Sequence, residues 1–215
     1  MGRPGLRYLV VEGPIGVGKT TLVHRLARSL GGHVLLEGAD DNPFLDRFYA
    51  NPGAHALATQ LHFLLQRVAQ LEGLRQGDLF APLCIADFML AKDRLFAALN
   101  LTPAELALYD QIHERFAPAA PAPDLVVYLQ APTRVLVERI RRRGRAAEGA
   151  IDETYLERLG EAYSRFFLAY HGSPLLIVNA ADLDFAHVEA HYQRLLEAIL
   201  DCPSGRHYFN PGVLP

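Results

Sequence analysis

The residues best suited to chemistry lie in one run, Gly13-Pro14-Ile15-Gly16-Val17-Gly18-Lys19-Thr20, directly after the apolar stretch Tyr8-Leu9-Val10-Val11. The spacing is G-x-x-x-x-G-K-[ST], in which backbone N–H groups wrap phosphate oxygens, the lysine reaches the β and γ phosphates and the hydroxyl ligates magnesium. Glycine permits positive φ and lets the backbone approach an oxygen closely. A helix beginning at Lys19, with Leu22, Val23, Leu26, Ala27 and Leu30 along one face, adds the positive end of its dipole. Strand, glycine-rich loop and amphipathic helix in that order point to a nucleoside-triphosphate site held by residues 13–20 and Thr21.

Two acids stand where such a site needs them. Glu37 follows the short apolar run His33-Val34-Leu35-Leu36, and Asp87 follows Leu83-Cys84-Ile85-Ala86. In open α/β sheets, ligands sit at the carboxyl ends of strands, and an acid ending an apolar strand has the form of a magnesium-supporting Walker B strand. A third group lies on a helical pattern from His55 to Glu72, whose stripe is Leu57, Leu61, Leu64, Leu65, Val68 and Leu71. Gln60, Phe63 and Arg67 fall together along one flank of it, either as solvated edge residues or as the lining of a pocket. A fourth group is cationic: Arg139, Arg141, Arg142, Arg143 and Arg145 crowd the end of a helix starting near Thr133, with Gly144, Gly149 and Ala150 beyond. Such a cluster is either a solvated helix end favoured by the macrodipole or a lid that neutralises a transferred phosphoryl group.

The elements that must hold these groups alternate along the chain. Gly31-Gly32 end the first helix. A polar loop, Gly38 to Pro43, leads to a short helix through Phe48 and Tyr49, broken at Asn51-Pro52-Gly53. Helical sequence follows Asp87 through Leu99, and Thr102-Pro103-Ala104-Glu105 is a capping box with proline at the first helical position. Ala117 to Pro123 reads as a short connection. Leu125 to Leu129 and Leu175 to Val178 read as buried strands, Tyr155 to Tyr170 and Asp184 to Leu200 as helices. The tail beyond Cys202 gives no assignment. Five strands alternating with helices predict an α/β protein with a parallel sheet covered on both faces.

Composition agrees with one domain spanning 1–215: half of the 215 residues are apolar, enough for a full core. The formal charge of −3 disfavours generic nucleic-acid binding. Cys84 and Cys202 form neither a disulfide framework nor a metal-ligand spacing, which suits a reducing, cytoplasmic setting. The first residues, Met1 to Leu6, carry no apolar signal segment, and no apolar stretch is long enough to cross a bilayer.

Taken together, Tyr8 to Thr21, Glu37, Asn42-Pro43-Phe44-Leu45, Phe48-Tyr49, Asp87 to Arg94, Arg139 to Leu156 and Asn179 to Phe185 resemble the deoxynucleoside kinases over nearly the whole chain. The resemblance is strongest to bacterial deoxyadenosine and deoxyguanosine kinases. It implies a P-loop kinase fold with a lid at about 139–151, ATP and Mg2+ as donor and cofactor, and a deoxynucleoside as acceptor. By position it implies that Glu37 lies beside the 5′-hydroxyl, that Tyr49 and Glu148 hold the 3′-hydroxyl, and that Gln60, Arg67 and Asp93 read the base edge. Arg139, Arg143 and Arg145 match lid arginines that clasp the donor phosphates, and Asp87 matches the acid of an acid-arginine-serine motif. There the sequence departs, because Phe88 and Met89 follow Asp87. Lys92 or a lid arginine must supply the missing cation, or turnover is slower.

The mechanism so implied relies on Lys19, magnesium at Thr20 and Asp87, and Arg143 for charge neutralisation. Either Glu37 or Asp87 takes the hydroxyl proton. An accepting carboxylate at Asp93 wants an exocyclic amino group, so thymidine is expected to be a poor substrate while adenine, guanine and cytosine stay open. Phe63 either stacks on the base or belongs to the core. The competing readings are a thymidylate-kinase-type monophosphate kinase and a non-catalytic nucleotide switch. The resemblance further implies a homodimer, or a heterodimer with a sister kinase, and feedback inhibition by the end-product triphosphate.

Overall fold

The structure is a computed structural model that describes residues 5–76, 83–116, 120–145, 148–149 and 151–212. Residues 117–119, within the expected Ala117 to Pro123 connection, and residues 146–147 and Ala150 of the expected lid lie outside the described residues. Among the described residues, six strands form one parallel sheet: β1 (Tyr8–Glu12), β2 (His33–Leu35), β3 (Cys84–Ala86), β4 (Leu125–Gln130), β5 (Leu175–Asn179) and β6 (Arg206–Phe209), in the order β2-β3-β1-β4-β5-β6. The expected five strands are therefore six. The extra strand comes from the tail, where Arg206 to Phe209 pair in register with Leu175 to Val178.

Strand periodicity sorts the core into two layers. Leu9, Val11, Leu125, Val127, Leu129, Leu176 and Val178 point to one face. There α1 (Lys19–Leu30), α6 (Thr133–Arg143) and α8 (Glu189–Leu200) supply Leu22, Val23, Leu26, Leu136, Ile140, Tyr192 and Leu195. Tyr8, Val10, Val126, Tyr128, Leu175 and Ile177 point to the other face. That layer is completed by α3 (Pro52–Gln76), α4 (Asp93–Asn100), α5 (Pro103–Phe116) and α7 (Glu153–Leu168). A further short helix, α2 (Leu45–Ala50), packs on α3.

Local chemistry sets most boundaries. Gly31, at φ 69°, closes α1 by donating its N–H to the Ala27 carbonyl. The capping box at Thr102 forms, with the Glu105 carboxylate accepting the Thr102 N–H at 2.9 Å. Of the boundaries that differ from expectation, two have a clear local cause. The α3 helix starts at Pro52 rather than His55, because proline at a first helical position loses no hydrogen bond. The last helix starts at Glu189 rather than near Asp184, because the Asp184 carboxylate accepts the N–H groups of Ala186 and His187 and holds a turn.

Candidate active site

The carboxyl ends of β1, β2 and β3 lie side by side in the sheet, and each runs into an acid: Glu12, Glu37 and Asp87. Between β1 and α1, residues 13–18 form the phosphate loop. Gly13, at φ 147°, could carry no side chain, since a Cβ there would stand 2.3 Å from the Leu129 carbonyl oxygen. Lys19 folds back over the loop and donates to the carbonyls of Gly13 (2.8 Å) and Pro14 (3.3 Å). Burial and then the neighbouring Lys92 ammonium lower its pKa to about 8. The Thr20 hydroxyl donates to Asp87 Oδ2 at 2.6 Å, while Asp87 Oδ1 accepts the Glu37 N–H at 2.8 Å. A hydroxyl and a carboxylate so close suit magnesium, which is held by few protein oxygens and completes its shell with phosphate oxygens and water. Among the described residues, no cluster of three or more His, Cys, Asp or Glu forms a fuller metal cage.

Next to this loop is a cavity of about 220 Å³, lined by Gly16, Lys19 and Thr20 on one side and by Glu37, Gln60, Phe63 and Arg67 on the other. Tyr49, Asp87, Lys92, Arg143, Arg145, Glu148 and Tyr155 also border it. The flank of α3 thus faces the cavity rather than solvent. Gln60 and Arg67 are buried, and the Arg67 guanidinium lies over the Phe63 ring, 4.9 Å from its centroid. Arg67 pairs with both Glu37 and Asp93, and burial lowers its pKa to about 10. Asp93 is 1% exposed and stands behind Arg67, outside the cavity lining. Tyr49 and Glu148 meet on the far wall. There burial and then the Tyr155 and Glu148 charges raise the Tyr49 pKa.

A second, open groove of about 900 Å³ borders the other side of the phosphate loop, lined by residues 16–21 of the loop and α1, by Arg134, Arg139, Arg142 and Arg143, and by residues 181–187. Arg143 sits at the junction of groove and cavity and pairs with Glu148. Arg145 pairs with Asp40 at 3.1 Å. Arg139 lines the groove, and its guanidinium donates to the carbonyls of Val17 (3.2 Å), Ala180 (2.8 Å) and Ala181 (3.5 Å). It staples the phosphate loop to the segment after β5 and forms part of the groove wall.

Two further residues gained no role from the sequence alone or only a conditional one. Glu12 is fully buried, and its carboxylate accepts from Met89 N (2.8 Å), Gly13 N (3.1 Å) and the Tyr163 hydroxyl (3.1 Å). Lys92 is 1% exposed, with Nζ 3.2 Å from Glu37 Oε1 and 3.6 Å from Glu12 Oε1. The signal for Glu12 was present, since it ends an apolar strand as Glu37 and Asp87 do. Phe88 is fully buried in the apolar layer beneath α3 and α4, so it faces away from the cavity.

A phosphate loop on a parallel sheet, with an arginine-bearing helix end over it and an acid-lined cavity beside it, defines a P-loop phosphotransferase. Residues 9–202 match the model of the deoxynucleoside kinase family, to which the chain belongs. It is 33% identical over 205 residues to the deoxyguanosine kinase of Bacillus subtilis, covering 88% of this chain and 97% of that one. It is 28% identical over 195 residues to the deoxyadenosine kinase of Lactobacillus acidophilus, covering 84% and 88%. The solved deoxyadenosine kinase of M. mycoides with bound dATP shares the fold at a TM-score of 0.78, with 24% identity over 89% of this chain and 97% of that one.

Proposed function

We propose that this kinase moves the γ-phosphoryl group of ATP, with magnesium, to the 5′-hydroxyl of a purine deoxynucleoside, releasing the 5′-monophosphate. The observation that carries this reading is a single cavity lined both by Lys19 and Thr20 and by Glu37, Gln60 and Arg67. An anionic acceptor gains nothing beside Glu37, whereas an uncharged alcohol has a proton to lose there. The names of the two curated relatives above, one acting on deoxyguanosine and one on deoxyadenosine, support a purine base.

In this reading the phosphate loop and Lys19 hold the donor phosphates, and Thr20 and Asp87 hold the magnesium ion. That ion offsets charge on the donor oxygens when bound. Glu37 orients the acceptor hydroxyl and takes its proton. Both Asp87 oxygens are already engaged, while Arg67 and Lys92 hold Glu37 through Oε1, which leaves Oε2 to face the hydroxyl. The bond from Pγ to the β,γ-bridging oxygen breaks with its electron pair leaving on ADP, and the bond from the 5′-oxygen to Pγ forms. Arg143 spans donor and acceptor sides. Tyr49 and Glu148 position the sugar, Phe63 and Gln60 meet the base, and Arg67 with Asp93 behind it sets the base edge. A homodimer, which the family resemblance implies, completes the reading and is checked by light scattering.

The test is incubation with labelled ATP, magnesium and a panel of deoxynucleosides and their monophosphates. Label is expected on a purine deoxynucleoside, with thymidine poor. Label on a monophosphate only, or on no acceptor, overturns the proposal.

A further inference from the structure

We propose that Lys92 is the acceptor-side cation of the reaction: its ammonium leaves Glu37 to take the incoming phosphoryl group and then holds the new 5′-monophosphate. This rests on the transfer reaction proposed above. That reaction deposits a dianionic group where the cavity wall carries the Glu37 carboxylate, so a cation at that spot is needed to stabilise the developing charge.

Lys92 meets that need by position. It ends the short 3-10 turn Leu90–Lys92 that leads into α4, and it lines the same cavity as Lys19 and Thr20. A buried ion pair that served the fold alone could be exchanged as a whole for well-packed apolar residues at little loss, because such a pair seldom outweighs its own desolvation. Here the surroundings keep the charge. Glu12 from β1, immobilised by three donors from three segments, lies 3.6 Å from the ammonium and Glu37, after β2, lies 3.2 Å from it. The Phe96 ring of α4 covers it at 5.9 Å. Asp87 after β3 adds attraction, while Arg67 of α3 and Lys19 of α1 repel. Burial is the largest influence on Lys92, bringing its pKa down to about 8. Glu12 is a permanent partner and Glu37 an exchangeable one, so Lys92 can change its second contact without being stranded. The side chain at position 88 cannot compete for this role, because Phe88 is committed to the core.

The experiment uses the full chain with ATP, magnesium and whichever deoxynucleoside the wild type phosphorylates; absence of wild-type phosphorylation would instead sink the reaction on which this inference rests. Lys92→Met is expected to lower kcat by about 100-fold or more. Calorimetry should show binding of the product 5′-monophosphate weakened by about tenfold or more, with deoxynucleoside and ATP affinities nearly unchanged. Lys92→Arg is expected to recover most of both losses. If Lys92→Met fails to fold because Glu12 is left unpaired, Glu12→Gln/Lys92→Met removes the stranded charge and should show the same two losses. A folded Lys92→Met or double variant that turns over like the wild type, or binds monophosphate as tightly, overturns the inference.

Discussion

At the residue scale, the charges around Glu37 decide what it can do. Glu37→Gln keeps the side-chain volume and removes the proton acceptor, so kcat should fall by about 100-fold or more with ATP affinity unchanged. Steady-state kinetics beside ATP titration checks this, and wild-type turnover would remove Glu37 from the mechanism. A second expectation concerns pH. The Lys92 pKa stands at about 8, lowered chiefly by burial, so its cation is present below pH 8 and lost as pH rises through it. If the cation serves transfer, kcat/KM for the deoxynucleoside should fall above about pH 8. Lys92→Arg should move that limb upward, because guanidinium keeps its charge. A limb that does not move belongs to Lys19, which titrates in the same range. Much of this residue set was legible: the loop spacing marked Lys19 and Thr20, and helical periodicity put Gln60, Phe63 and Arg67 on one flank. What Glu12 and Arg139 hold together was not, although one ends an apolar strand and the other sits in the arginine cluster, because Glu12 gathers donors 77 and 151 positions away and Arg139 reaches carbonyls 41 to 122 positions away. Asp93 illustrates a different limit. Sequence places it near Arg67 but cannot tell a residue that faces the cavity from one that stands behind it.

At the element scale, three neighbouring parallel strands aim Glu12, Glu37 and Asp87 at one region, and the segment after β3 has to serve both core and site. Its residues divide the labour: Phe88, Met89 and Leu90 are buried in the apolar layer, while Asp87 and Lys92 line the cavity. Restoring an arginine by Phe88→Arg should therefore fail as a repair. It would bury an unpaired charge in place of a packed ring and cost at least about 3 kcal/mol. Chemical denaturation should show the lost stability, and a stable variant with raised turnover would show that position 88 can reach the cavity after all. The donor side offers a matched case. Because Arg139 ties Val17 to the Ala180 and Ala181 carbonyls, Arg139→Ala should loosen one wall of the groove. KM for ATP should rise several-fold with KM for the deoxynucleoside unchanged; the reverse pattern would assign Arg139 to the acceptor side. Five of the strands and most helices were legible because apolar periodicity and caps are local. The start of the last helix was not, because an Asp184 turn competes with helix over the same residues.

At the scale of the whole molecule, the sheet extends one strand beyond what periodicity revealed. Arg206-His207-Tyr208-Phe209 is flanked by turn residues, Pro203-Ser204-Gly205 and Asn210-Pro211-Gly212, but has no apolar alternation, and pairing with β5 across about thirty positions is what makes it a strand. What secures it is visible only in three dimensions. The Arg206 guanidinium donates to the carbonyls of Phe167 (3.1 Å), Leu168 (2.7 Å) and Tyr170 (3.2 Å), where the end of α7 leaves carbonyls without helical partners. At the other end of β6, Asn210 accepts from Asn179, whose own oxygen accepts the Ala181 N–H beside the donor groove. Arg206→Ala should therefore act on stability and not on chemistry. It removes charge-assisted hydrogen bonds that are partly open to solvent, worth about 1–2 kcal/mol, and lowers Tm by about 3–6 °C in a chain of this size. Because the contacts lie at the far edge of the sheet from the Glu37 cavity, kcat and both KM values should stay at wild-type levels well below the new Tm. Thermal melts and steady-state kinetics on the same preparation check both halves. Unchanged Tm would mean that the carbonyl contacts add nothing, and a raised KM for ATP alone would mean that β6 reaches the donor groove through Asn210 and Asn179.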